Sequence, residues 1–132
     1  MNDLERIGDH AENFHEIGME MINKNISFSE QALEGIRTMR DNVTQMFAIS
    51  IETFKTLQKE KLYDLTQLEK VVDGMKKDLI SGHFARLAEG NCSVDVSPYY
   101  SSVIVGLERI ADHLINVGFS IVNPTGSQKA DD

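Results

Sequence analysis

With 132 residues the chain is long enough for one compact domain with its own core and too short for two ordinary ones. It is 41% hydrophobic but only 7% aromatic, with two prolines and no tryptophan, a balance that favours helices over sheet. With 21 acidic against 13 basic side chains the formal charge is −8, which argues against a nucleic-acid surface and would repel free phosphate unless a bound cation reversed the local sign.

Cys92 is the single cysteine, so an intrachain disulfide framework and a cysteine-based zinc cage are both excluded, in keeping with a reducing cytosolic compartment. No apolar run is long enough to cross a bilayer, and no basic-then-apolar leader is visible. A soluble part of a membrane protein is compatible with both observations.

The first helix is expected from Asn2 to Asn23, where Leu4, Ile7, Ala11, Phe14, Gly18 and Met21 recur at steps of three and four. A loop follows over Lys24 to Phe28, and Ser27 with Glu30 fits the capping box of the next helix. That second helix should run from Ser29 to Gln58 with a stripe of Ala32, Ile36, Met39, Val43, Phe47, Ile51, Phe54 and Leu57. A tight turn is placed at Lys59-Glu60-Lys61, because one helix continuing to Glu89 would be unusually long.

In the third helix Leu65, Leu68, Val72, Met75 and Leu79 form the seam, and Gly90-Asn91 is the stop. A short loop to Val96 leads to Ser97-Pro98, read as a capping hydroxyl before a proline at the first helical position. The fourth helix should extend from Pro98 to Val122 with Tyr100, Val103, Leu107, Ile110, Leu114, Val117 and Ile121 on one side. Residues 123–132 read as a flexible tail. These elements predict an all-α, up-down antiparallel bundle of four long helices.

Leu4-Glu5-Arg6-Ile7-Gly8-Asp9-His10 returns 103 residues later (107 − 4) as Leu107-Glu108-Arg109-Ile110-Ala111-Asp112-His113, with Asn13 and Asn116 also in register. The spacing is too long for a solenoid and indicates duplication of a multi-helix unit. Packing explains the apolar positions but not the charged ones. Measured at about 100° per residue from the Leu107/Ile110 seam, Glu108 lies roughly 130° away and Asp112 roughly 170° away, so both are expected to face outward.

Like charges four apart destabilise a helix by about 0.2–0.5 kcal/mol, and something should offset that. Glu69 and Asp73 repeat the spacing on the third helix. Two neighbouring helices would then present Glu69, Asp73, Glu108 and Asp112 as one set of hard oxygen ligands suited to iron, manganese, magnesium or calcium. The plain alternative is a solvated acidic face. His10 and His113 are expected as hydrogen-bonded inter-helix histidines rather than ligands.

The heptapeptide followed by Ala-x-Asn resembles the signature of the PhoU family of phosphate-uptake regulators. The resemblance implies two similar three-helix bundles, each with the motif on its last helix and with a multinuclear metal cluster on the bundle surface. It implies metal ligands at Glu108, Asp112, Glu69 and Asp73, and by the first copy at Glu5 and Asp9. Iron, zinc, manganese, magnesium and calcium are all admissible. The stretch Gly82 to Cys92 is similar to the PhoU-like tails of Na/Pi cotransporter proteins, which lie on the cytoplasmic side of a transporter.

On this basis residues 1–24 are the last helix of a truncated first bundle, 25–122 a PhoU-like three-helix bundle, and 123–132 the tail. The implied function is non-enzymatic control of phosphate transport through contact with a membrane phosphate transporter, at the cytoplasmic side of the inner membrane. A structural or dimerisation bundle with an inert acidic face is the rival reading. A ferritin-like di-metal oxidase is a weaker one, because only Glu12 and His15 fit its Glu-x-x-His pattern. The apolar seam of the first helix must be covered, either by folding back on its own bundle or by the same helix of a second chain. We expect the homodimer.

Overall fold

Helix α1, Asp3–Asn23, begins where the side chain of Asn2 accepts a hydrogen bond from the Glu5 amide at 2.8 Å, satisfying one of the donors that every helix start leaves unpaired. It ends with Asn25 in the left-handed region (φ 57) and the Ile26 amide bonded back to the Met21 carbonyl at 3.0 Å. The computed structural model describes residues 2–90 and 93–122. The predicted tail, the Asn91 half of the Gly90-Asn91 stop, and Cys92 lie outside the described residues.

Helix α2 spans Glu30–Thr56 and is capped by Ser29, whose Oγ accepts from the Ala32 amide at 3.1 Å. The expected cap at Ser27 is therefore displaced by two residues. Ile26 and Phe28 pack against the cluster of Ile17, Met21 and Val96 at the end of α1, so the chain becomes free to turn only at Ser29. The link to the next helix is Leu57 to Lys59, earlier than the turn expected at residues 59–61. Leu57 takes a left-handed conformation (φ 56) and its amide bonds the Thr53 carbonyl at 2.7 Å.

Helix α3 covers Glu60–Ala88, a 3-10 turn covers Val94–Val96, and α4 covers Ser97–Val122. Ser97 is the first residue of α4 rather than its cap, and its Oγ lies 2.7 Å from Nε2 of His83 on α3.

Helices α2, α3 and α4 each pack on the other two, forming an all-α, up-down three-helix bundle, while α1 lies antiparallel along α4 as the fourth long helix. The core is built from Met39 and Met46 of α2, Leu65 and Val72 of α3, and Tyr100, Ile104, Leu114 and Ile115 of α4. Because α4 is flanked by three helices it buries a second row, Ile104, Ala111 and Ile115, beside the predicted Leu107, Ile110 and Leu114.

The stripe predicted for α2 holds only to Val43. Beyond it the helix buries Met46, Ser50 and Thr53, and leaves Phe47, Ile51, Phe54 and Leu57 at 47, 43, 68 and 63% exposure. Both rows have helical spacing, and the more apolar one faces away. The buried hydroxyls are accommodated by backbone carbonyls: Ser50 donates to Leu114 at 3.5 Å and Thr53 to Ile49 of its own helix at 2.9 Å.

The seam of α1 is shared between two sides. Ile7 and Phe14 pack on the main core and Ile17 and Met21 join the second cluster, so α1 finds cover on its own chain. Leu4, Met19 and Ile22 stay 64, 47 and 71% exposed on the other side. Only that outer row is left for a second chain to cover.

At the far end of the bundle His83 is 3% exposed and its ring lies tilted against that of Tyr100, with centroids 4.8 Å apart. Burial, and then the nearby Arg86 charge, hold its pKa below the usual histidine value. A group kept neutral in the folded state takes up its proton first when unfolded. Its contribution is thus fully present above the unfolded pKa of about 6.5 and is lost as pH falls through the lower folded pKa. Thermal melts from about pH 8 down to about pH 5 should show a fall in Tm that is visibly shallower in His83→Gln. Parallel curves would show that His83 does not carry the acid sensitivity.

Candidate metal site and the cleft beside it

Glu108 and Asp112 are one turn apart on α4, and Asp73 projects from α3, which packs alongside. One carboxylate oxygen from each of Asp73, Glu108 and Asp112 can be chosen so that all three lie within 4.8 Å of one another. These side chains are half-buried rather than outward-facing as expected; that of Glu108 is only 13% exposed. An outward direction holds only for a helix with one covered side, whereas α3 and α1 also cover the flanks of α4 where Glu108 and Asp112 sit.

Like charges this close and partly desolvated disfavour full ionisation. Burial first, and then the neighbouring Glu108 carboxylate, push the pKa of Asp73 up, with Lys76 and Lys77 acting in the opposite sense. The Lys76 ammonium lies 3.4 Å from Glu108 Oε1. The donor set is all oxygen and anionic, drawn from two rigid helices, and so fits a hard multivalent cation.

The remaining predicted ligands are placed differently. Glu69, one turn before Asp73, is 5% exposed and is not one of the three residues whose oxygens meet. Glu5 and Asp9 are exposed on α1, and among the described residues they join no such group. The reason is topological: α3 supplies the carboxylate opposite Glu108 and Asp112, and α1 has no equivalent neighbour among the described helices.

The antiparallel pairing of α1 with α4 brings the two copies of the heptapeptide face to face. His10 and His113 stack with ring centroids 5.7 Å apart, and Nδ1 of His113 is 2.9 Å from Oδ1 of Asp3. This is the inter-helix role anticipated for the histidines, with the hydrogen bond carried by His113. Burial, then His113 and Arg109, lower the pKa of His10, with Asp9 opposing.

Beside the rings a cleft of about 450 Å³ is lined by Arg6, Asp9 and His10 from one copy and by Arg109, Asp112 and His113 from the other. Sequence reasoning named the carboxylates of the repeat but not its arginines. The signal was present, since Arg6 and Arg109 are identical across the duplication.

Fold and site together define a helical bundle that carries a carboxylate cluster on adjoining helices and a duplicated motif across a helix pair. Residues 36–121, well over half of the chain, match the PhoU domain. The chain is also 29% identical over 119 residues to the phosphate-specific transport system accessory protein PhoU homolog 1 of Thermotoga maritima. That alignment covers 88% of this chain and 49% of the relative, so the chain spans about half the relative's length. No solved structure matches. The chain belongs to the PhoU family, and among its described residues no helix is long and apolar enough to cross a membrane.

Proposed function

We propose that this chain is a non-enzymatic regulatory domain that controls phosphate transport by contact with the cytoplasmic face of a membrane phosphate transporter, and that Asp73, Glu108 and Asp112 hold a metal ion there. Membership of the PhoU family supports the regulatory role. The observation that carries the metal site is the meeting of three carboxylates from two helices within 4.8 Å. Glu69 supports the site from one turn away, and Glu5 and Asp9 belong to an equivalent site that needs further neighbours.

The ion supplies positive charge at the bundle surface, drawn from iron, zinc, manganese, magnesium or calcium. The Gly82 to Cys92 stretch favours a Na/Pi cotransporter as the partner. Phe47, Ile51 and Phe54 are an exposed apolar row open to such a contact. A homodimer through α1 would use its outer row of Leu4, Met19 and Ile22.

The test is complementation. In the source organism, disruption of the gene should leave phosphate uptake several-fold too high when phosphate is plentiful, and the wild-type gene should restore control. A Glu108→Gln, Asp112→Asn double variant should fold with stability changed by no more than about 1 kcal/mol, as for a partly exposed ion pair. It should purify without the metal that the wild type carries and should fail to restore control. Unchanged uptake after disruption would refute the regulatory reading. A double variant with full metal content would refute the site.

A further inference from the structure

A metal site at the carboxylates of the duplicated heptapeptide leaves its arginines and histidines without a role. Both copies nevertheless turn Arg, Asp and His into the same cleft between α1 and α4. We propose that this cleft binds a small oxyanion that keeps a proton at neutral pH, the chemistry of hydrogenphosphate.

Arg6 and Arg109 offer only donors and stay charged at any physiological pH, so they suit anionic oxygens and oppose a second cation. Asp9 and Asp112 offer only acceptors when ionised. Against two guanidiniums they leave the lining close to neutral, unlike the −8 of the whole chain. Asn116 lines the same cleft as well, is 5% exposed, and its buried Oδ1 has no hydrogen-bond partner.

A fully deprotonated anion such as sulfate would satisfy the arginines but would meet these acceptors with nothing to donate. An oxyanion with one O–H satisfies both sets, and discrimination by an unmet hydrogen bond is strong because the wrong ligand leaves the buried Asn116 acceptor unpaired. The stacked His10 and His113 rings form the remaining wall and can donate or accept.

The inference does not depend on the metal site, so it is tested on the full chain after chelator treatment. Inorganic phosphate and sulfate are titrated at constant ionic strength, followed by calorimetry and by the His10 and His113 NMR signals. Phosphate should bind saturably and shift both histidines, with sulfate at least about tenfold weaker. Both arginine side chains are exposed. An Arg6→Gln, Arg109→Gln double variant should therefore keep its helix content and lose at least about tenfold in phosphate affinity.

Glycerol 3-phosphate in a parallel arm separates free from esterified phosphate as the source, and saturable binding of either supports the site. Equal binding of phosphate and sulfate, an unaffected double variant, or no saturable binding would each overturn it. Phosphate binding in a protein that takes up no metal would leave this inference standing while the cation site failed.

Discussion

Replacing Leu65 with alanine is expected to cost about 2–5 kcal/mol, the range for emptying a well-packed core position. Leu65 has no exposed surface and belongs to the cluster shared by α2, α3 and α4. It also occupies the space that a side chain at position 118 would need. A Cβ on Gly118 would come to 2.6 Å from Leu65 Cδ2 and 3.2 Å from Leu62 Cδ2.

Removing a helix-interior glycine should stabilise by roughly 1 kcal/mol, but here the steric conflict opposes the gain. Gly118→Ala alone should therefore be neutral or destabilising, and in the Leu65→Ala background it should recover part of the lost stability. Chemical denaturation of the four proteins in a double-mutant cycle measures the coupling. Strict additivity would show that the two positions do not compete for space.

The second large effect concerns the docking of α1. A Cβ at Gly106 would lie 2.7 Å from Cε1 and 3.0 Å from Cζ of Phe14. Since α1 packs mainly on α4, a larger side chain at position 106 pushes directly against the contact that docks it. Gly106→Leu should release α1, seen as fast hydrogen exchange over residues 3–23 with protection retained in the cores of α2, α3 and α4. The His10–His113 stack and the cleft beside it should disappear in the same variant. Retained protection of α1 would mean that the Phe14 ring can turn aside.

What the sequence reveals here follows from which rules are local. Helix number and extent could be read because apolar periodicity and end signals act within a few turns. The fourth helix ends where predicted, at Val122. The pairing of Glu108 and Asp112 with a carboxylate of the third helix was anticipated from a repeat and a spacing, which identify residues that packing does not require.

The misread features depend on neighbours. On α2 two rows have the same spacing, and the choice of Ser50 and Thr53 over Ile51 and Phe54 is made by α3 and α4, not by hydrophobicity. The outward direction assigned to Glu108 failed because a helix flanked on three sides has little outer face. The turn after α2 was expected two residues late because Leu57 adopts a conformation normally advertised by glycine, which costs a non-glycine residue about 1–2 kcal/mol.

Lys76 gives the carboxylate cluster an occupant of its own. With its ammonium 3.4 Å from Glu108, loading the cluster is an ion exchange rather than a simple addition. A monovalent ion that displaced Lys76 would return the local charge to where it began and gain little. An ion of charge two or more leaves the acidic group better neutralised and frees the lysine to the solvent. If the cluster holds a cation as proposed, the same pair would favour ions of higher valence over monovalent ones.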